Sequence, residues 1–223
     1  MATILVTGAN RGIGLALVKH FRARGDQVIA ACRRSSGELD ASGARVESGI
    51  DVTDDASLSG LMRRLDGRPI DQLWLNAGIL ARDSLDKMNA DGFDALRQQF
   101  EVNAIGPLRV THALLPNLHD GSKVAIITSR MGSIADNGSG GYYGYRASKA
   151  AVNAIGKSLA VDLAPRGVSV YLLHPGYVAT DMVDGHGDIT PTVAAQRLVG
   201  VVDGLDLERS GTFWHSNGSE LPW

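Results

Sequence analysis

Thr3-Ile4-Leu5-Val6-Thr7-Gly8-Ala9-Asn10-Arg11-Gly12-Ile13-Gly14 decides how this 223-residue chain is read. Its first five residues are β-rich and nearly continuous in apolar character, the pattern of a strand buried on both faces. Apolar side chains then recur at helical spacing (Ile13, Ala16, Leu17, Phe21) until Gly25, which stands where a glycine ends a helix. Glycines 8, 12 and 14 fall between the strand and the helix with G-x-x-x-G-x-G spacing. Gly8 lets the chain turn off the strand, Gly12 admits a pyrophosphate close to the backbone, and Gly14 lets the helix pack on the sheet. The start of the helix aims unpaired N–H groups at such phosphates. Glycines also build ordinary tight turns, but strand, glycine loop and helix in this order are the context that a dinucleotide-binding motif requires.

The same alternation runs through the rest of the chain. Short apolar runs predict further strands over 27–31, 45–50, 72–75, 123–128, 168–173 and 212–215. Helical periodicity predicts helices over 54–65 (after a Thr53 cap), 91–118, 145–163 and 190–202, the last with a proline in its first turn. Unbroken strand–helix alternation implies an α/β fold. The expectation is a single doubly wound Rossmann domain over residues 1–223, with a mainly parallel seven-stranded sheet and helices on both faces.

Composition narrows the function classes. The chain is 44% hydrophobic and 21% charged, enough to bury a proper core. Twenty-two basic against 24 acidic side chains leave a formal charge of -2, which argues against a nucleic-acid binder. Cys32 is the only cysteine, so no intrachain disulfide can form and a reducing, cytoplasmic setting is the default. No apolar run approaches the roughly 20 residues that a bilayer span needs, and no secretory leader is expected.

Two local features add chemistry. A protein selecting NAD places an acid at the end of its second strand to bind the ribose 2′-hydroxyl. Here that position reads Ala31-Cys32-Arg33-Arg34, and Arg11 stands inside the glycine loop. Guanidinium groups pair with a 2′-phosphate, so NADP(H) is the expected cofactor; the plain alternative is that Arg33 and Arg34 are solvated surface charges. Further on, Tyr145-Arg146-Ala147-Ser148-Lys149 puts a phenol and an ammonium one helical turn apart on one face. An ammonium beside a phenol favours the phenolate and lowers its pKa toward working pH, as a general acid/base for carbonyl chemistry needs.

Thr7 to Gly14, Asp51-Val52, Asn76-Ala77-Gly78, Asn103, Ser129, Tyr145-x-x-x-Lys149 and Pro175-Gly176 occur in the order found in short-chain dehydrogenases/reductases, which the chain resembles from residue 3 to about 182. Within that family, Gly-Ala-Asn-Arg-Gly and the stretch 140–149 look most like sniffer-type carbonyl reductases and bacterial C-factor-like proteins. The resemblance implies a catalytic set of Asn103, Ser129, Tyr145 and Lys149. Tyr145 would exchange the proton, Lys149 would lower its pKa and hold the nicotinamide ribose, Ser129 would hold the carbonyl oxygen, and Asn103 would pin a water leading to solvent. It also implies that Gly8, Asn10, Arg11, Gly12, Ile13, Gly14, Arg33, Asp51, Val52, Asn76, Ala77, Gly78, Pro175, Gly176, Val178 and Thr180, with Tyr145 and Lys149, bind the cofactor.

Alternatives stay open at several positions. Ser133 is a rival to Ser129, Asn103 could simply kink its helix, Asp51 could only cap a turn, and His174 and His186 read as structural or substrate-lining. No metal-ligand spacing occurs. The short, polar segment 182–188 implies an open site for small aldehydes and ketones, and the two long helices imply a homodimer. Lyases and epimerases on this fold carry a larger C-terminal part than this chain has after Met182. The competing function is a catalytically weak NADP(H)-binding regulator or signalling protein.

Overall fold

A computed structural model describes all residues 1–223. Seven strands, β1 (Thr3–Thr7), β2 (Gln27–Ala31), β3 (Arg45–Glu47), β4 (Ile70–Leu75), β5 (Leu118–Ile127), β6 (Ser169–His174) and β7 (Thr212–His215), form one sheet. Its order is β3-β2-β1-β4-β5-β6-β7, every pairing is parallel, and the fold is the Rossmann type expected. The helices are α1 (Gly12–Ala23), α2 (Gly37–Asp40), α3 (Asp55–Leu65), α4 (Ala90–Phe100), α5 (Gly106–Ala113), α6 (Tyr143–Leu163) and α7 (Pro191–Asp203). No helix is long and apolar enough to cross a membrane.

Strand periodicity sorts the core into two layers. Leu5, Ile29, Leu73, Val124 and Ile126 face α3, α5 and α6, and Ile4, Val6, Val28, Trp74 and Ala125 face α1 and α7. Trp74 is fully enclosed, its indole N–H held 2.9 Å from Gln72 Oε1. Chain order reverses between β1 and β4, the point where sheets of this kind open a crevice at the carboxyl ends of their strands.

The structure corrects several boundaries. The single helix expected over 91–118 is three pieces: α4, a π-helical turn over Glu101–Ile105, and α5, with Leu118 already in β5. In an unbroken α-helix the ring of Pro107 would strike the carbonyl of Asn103, four residues back. The wider turn removes that clash by letting the Gly106 N–H reach back five residues to Glu101. Pro116 then prevents continuation. β3 stops at Glu47 rather than at 50, because Gly49 (φ +75°) turns the chain over the end of β2, where the Ile50 N–H meets the Cys32 carbonyl. The cap of α3 is Asp54, whose carboxylate accepts from the Ala56 N–H, and not Thr53. Helix α6 begins two residues before Tyr145.

Candidate active site

The glycine loop is shaped by contacts from β4. Gly12 has φ +53°, and a Cβ on Gly14 would lie 2.2 Å from the Gly8 carbonyl oxygen and 2.6 Å from Asn76 Nδ2. Gly14 thus packs its helix onto the loop's own backbone and Asn76. The Asn76 side chain donates to the carbonyls of Thr7 and Gly8, both at 3.1 Å. In return, Thr7 Oγ1 accepts from the N–H groups of Asn76 and Ala77. The ends of β1 and β4 are therefore one rigid unit beneath the loop.

Beside it lies a basic corner. Arg33 and Arg34 are exposed and make no ion pair, whereas Arg11 pairs with Asp181 at 3.0 Å. Asp51 faces Arg33 across the turn made by Gly49. Its Oδ1 accepts from both the N–H and the hydroxyl of Thr53. The Thr53 N–H, more than the nearby Arg33 charge, holds the Asp51 carboxyl below its usual range. Asp51 thus does cap a turn, and it stands at the basic corner as well.

At the other end of the cleft, Tyr145 and Lys149 occupy the first two turns of α6. Lys149 is buried, and its Nζ donates to the Ile127 carbonyl at 2.9 Å, 5.7 Å from the centre of the Tyr145 ring. The expectation that the ammonium lowers the phenol is corrected here. Burial pushes Tyr145 up to about 12, with a hydrogen bond from Ser129 acting the other way, and burial pulls Lys149 down to about 8. Both shifts favour the neutral forms, because burial penalises the charge on each group and the lysine's hydrogen bond goes to a carbonyl oxygen, leaving the phenolate no paired ammonium. Ser129 Oγ accepts from the Met131 N–H, opening a short turn whose Gly132 lies against the backbone of Lys149. Ser133, the rival serine, donates to the Trp223 carbonyl and accepts from the Asp136 N–H, outside the cleft lining.

Asn103 sits in the π-helical turn, 1% exposed. Its Oδ1 accepts from the Ile79 N–H at 2.8 Å, and its Nδ2 donates to the Ile79 carbonyl and Ser148 Oγ. Both side-chain N–H groups are thus engaged, and Asn103 fixes the turn after Gly78 beside Lys149.

One cleft of about 1630 Å³ joins these parts. Of the site residues expected from the sequence, all reach its wall except Gly14, which packs under the loop, and Asn103, which lies behind Gly78. The volume exceeds the few hundred to about 1,000 Å³ of an ordinary ligand pocket and suits a dinucleotide together with a second molecule. Over its mouth, the short turn Asp181–Val183 is tied down by Arg11–Asp181 and, at 2.6 Å, by Arg82–Asp184. His174 lines the wall edge-on to His215, with ring centres 4.9 Å apart and an unpartnered Nδ1; burial, more than the neighbouring His215 and Arg130, pulls it down to about 3.

Sequence reasoning missed Asp83, Gln99 and Gly132. Their contacts lie 17 to 61 positions away in the chain, and no local pattern announces them.

A family model for the short chain dehydrogenase matches residues 2–188. The chain belongs to the short-chain dehydrogenase family. A curated relative, the 1-hydroxy-2-glutathionyl-2-methyl-3-butene dehydrogenase of Rhodococcus sp. (strain AD45), is 44% identical over the whole of both chains. The C-signal protein of Myxococcus xanthus is 42% identical over 70% of this chain and 93% of its own. Among solved structures, the NADPH-bound carbonyl reductase from chicken fatty liver superposes with a TM-score of 0.89 at 29% identity, covering 100% of this chain and 99% of that one. This short-chain dehydrogenase therefore shares its whole length with both an enzyme and a solved carbonyl reductase.

Proposed function

We propose that this short-chain dehydrogenase is an NADPH-dependent oxidoreductase that interconverts small carbonyl compounds and alcohols, with its 223 residues acting as one domain. The observation that carries the reading is a single cleft holding the glycine loop and basic corner at one end and Ser129, Tyr145 and Lys149 at the other.

The residues present fit NADP(H). The glycine loop leaves room for a pyrophosphate, no acid ends β2, and Arg33 and Arg34 stand unpaired where a 2′-phosphate would lie. Gly8, Asn10, Arg11, Gly12 and Ile13 would hold the phosphates, Asp51 and Val52 the adenine, and Asn76 to Gly78 the middle of the molecule. Pro175, Gly176, Val178 and Thr180 would hold the nicotinamide end. When bound, the cofactor supplies the hydride for the carbonyl carbon. Ser129 Oγ holds the carbonyl oxygen, and Tyr145, kept as a neutral phenol by burial, delivers its proton to that oxygen. Lys149 is half of the proton path, its lowered pKa letting it exchange a proton near neutral pH. Asn103 keeps the Gly78–Ile79 turn in place beside it.

The Rhodococcus relative's name places a hydroxyl on a small branched carbon skeleton with a glutathionyl group, which supports an alcohol or carbonyl substrate here. A second reading, a weakly catalytic NADP(H)-binding signalling protein, is favoured by the name of the Myxococcus relative. We further propose a cytoplasmic homodimer in which α4, α5 and α6 meet their copies across a two-fold axis, since Phe93, Leu108 and Val161 are exposed on these helices. A native mass twice 23.6 kDa tests this.

The deciding experiment follows NADPH consumption over a panel of small aldehydes, ketones and quinones, with Tyr145→Phe as control. Turnover that disappears in the variant is the expected result. Tight NADPH binding without turnover on any compound favours the signalling reading.

A further inference from the structure

We propose that Asp83 is a positioning residue for the reaction, acting as the N-terminal cap of the helix that carries Tyr145 and Lys149. The proposal rests on the oxidoreductase reading above for its link to turnover.

The first N–H groups of a helix have no partner within it, and the residue before the first turn ordinarily supplies one from an extended backbone through a Ser, Thr, Asp or Asn side chain. Before α6 that residue is Tyr142. It has φ +52° and ψ 42°, a left-handed conformation unfavourable for a side chain with a Cβ, and it makes no side-chain cap. Asp83, about 60 positions earlier, supplies the cap instead. Its Oδ1 accepts from the Tyr143 N–H, its Oδ2 from the Gly144 N–H at 3.0 Å, and its carbonyl from the Tyr142 N–H at 3.2 Å. Three consecutive N–H groups thus end on one residue, and its negative charge sits at the positive end of a 21-residue helix. A left-handed residue persists only where its surroundings over-determine it, and Asp83 does so here.

Asp83 is itself held. The Ile79 N–H and carbonyl are bound by Asn103, and the Ala81 N–H by Gln99 Oε1 at 2.9 Å. Ile79, Leu80 and Arg82 of this strap form cleft wall. The segment that shapes the substrate end therefore also sets where α6 begins. Tyr145 lies in the first turn and depends on the cap. Lys149, one turn on, is separately fixed by Ile127 and by Gly132 packed on its backbone. Loss of the cap should displace Tyr145 and spare Lys149 and the glycine loop.

The test compares Asp83→Ala and Asp83→Asn with the wild type. In the alanine variant kcat should fall about tenfold to a hundredfold, the loss produced by small misplacement of a reacting group, while the NADPH dissociation constant, read by cofactor fluorescence, stays the same. Asparagine, which keeps one acceptor oxygen, should restore most of kcat. Amide hydrogen exchange at residues 143–146 should accelerate in the alanine variant and not elsewhere in α6. Unchanged kcat with unchanged exchange overturns the proposal, as does a fall in kcat matched by an equal loss of NADPH affinity and not rescued by asparagine. If the wild type reduces no carbonyl compound, the oxidoreductase reading fails, and the exchange measurement still decides the cap: unchanged protection at Tyr143 and Gly144 overturns it.

Discussion

Lys149 Nζ donates to the carbonyl oxygen of Ile127 at 2.9 Å. Because β5 ends at Ile127, the ammonium is fixed to the sheet and not to the helix-mate phenol four residues before it. Burial strips the ammonium of water and one backbone dipole offsets only part of that loss, so Lys149 loses its proton more readily than a surface lysine. A thermodynamic consequence follows. The folded value of about 8 lies below the usual 10.5, so at neutral pH the folded state carries the cost of a buried cation. Stability should rise as pH increases from about 8 to 10.5 on this group's account, since the unfolded chain then binds the extra proton.

Lys149→Met should accordingly raise Tm by a few degrees near neutral pH and by less at roughly pH 10, while abolishing turnover and weakening NADPH binding. Tyr145→Phe should lose about 10²–10⁴-fold in kcat and keep NADPH binding. Differential scanning calorimetry across pH, with stopped-flow turnover, separates the two residues.

Arg33→Asp should reverse cofactor preference. Unpaired Arg33 stands at the end of β2, where an acid would repel a 2′-phosphate and accept from a ribose hydroxyl. NADPH affinity should fall at least about tenfold, the effect of losing one charge-assisted contact worth about 1.5–3 kcal/mol, and NADH affinity should rise. Titration with both nucleotides reads this, and equal binding of the two by the wild type would contradict it.

Gly132→Ala should separate Ser129 from α6. A Cβ there would lie 2.6 Å from the Lys149 carbonyl carbon, against backbone that cannot move aside. The expected cost is about 1–3 kcal/mol of stability, as for other overpacked positions, with a larger loss in kcat than in NADPH affinity. Urea unfolding and steady-state kinetics on the same preparation check it.

His174 should contribute an acid-sensitive limb to stability. Burial, helped by the neighbouring His215 and Arg130 and opposed by Asp136, pulls its value from the usual 6.5 down to about 3. As pH falls below about 6.5 the unfolded chain takes up a proton that the folded one refuses, so stability drops until about pH 3. His174→Asn should flatten that slope in urea midpoints measured from roughly pH 7 to pH 4. An unaltered slope would show that other groups govern it.

The sheet and most helices are legible in the sequence because strand and helix periods act on neighbouring residues. The seven strands and the glycine loop needed nothing distant. Residues 91–118 were misleading for a definite reason: apolar spacing continues through Asn103 and Pro107, and only the steric conflict between them breaks the helix. The sign of the Tyr145 shift was equally hidden. Spacing places Tyr145 and Lys149 on one face, but the choice of Ile127 as the lysine's partner depends on how α6 lies on β5. Asp83 could not be recognised, since its three partners become neighbours only when the chain closes.

The clamp between Thr7 and Asn76 bears on how such proteins could be recombined. The loop that would carry the phosphates keeps its shape through hydrogen bonds from Asn76, the residue just past the end of β4 and nearly seventy positions away. Grafting residues 7–14 alone onto another parallel sheet would transfer the glycines without their support. The portable piece is the adjacent pair of strands, and a chimera that exchanges β1 and β4 together should keep nucleotide affinity where a loop graft loses it.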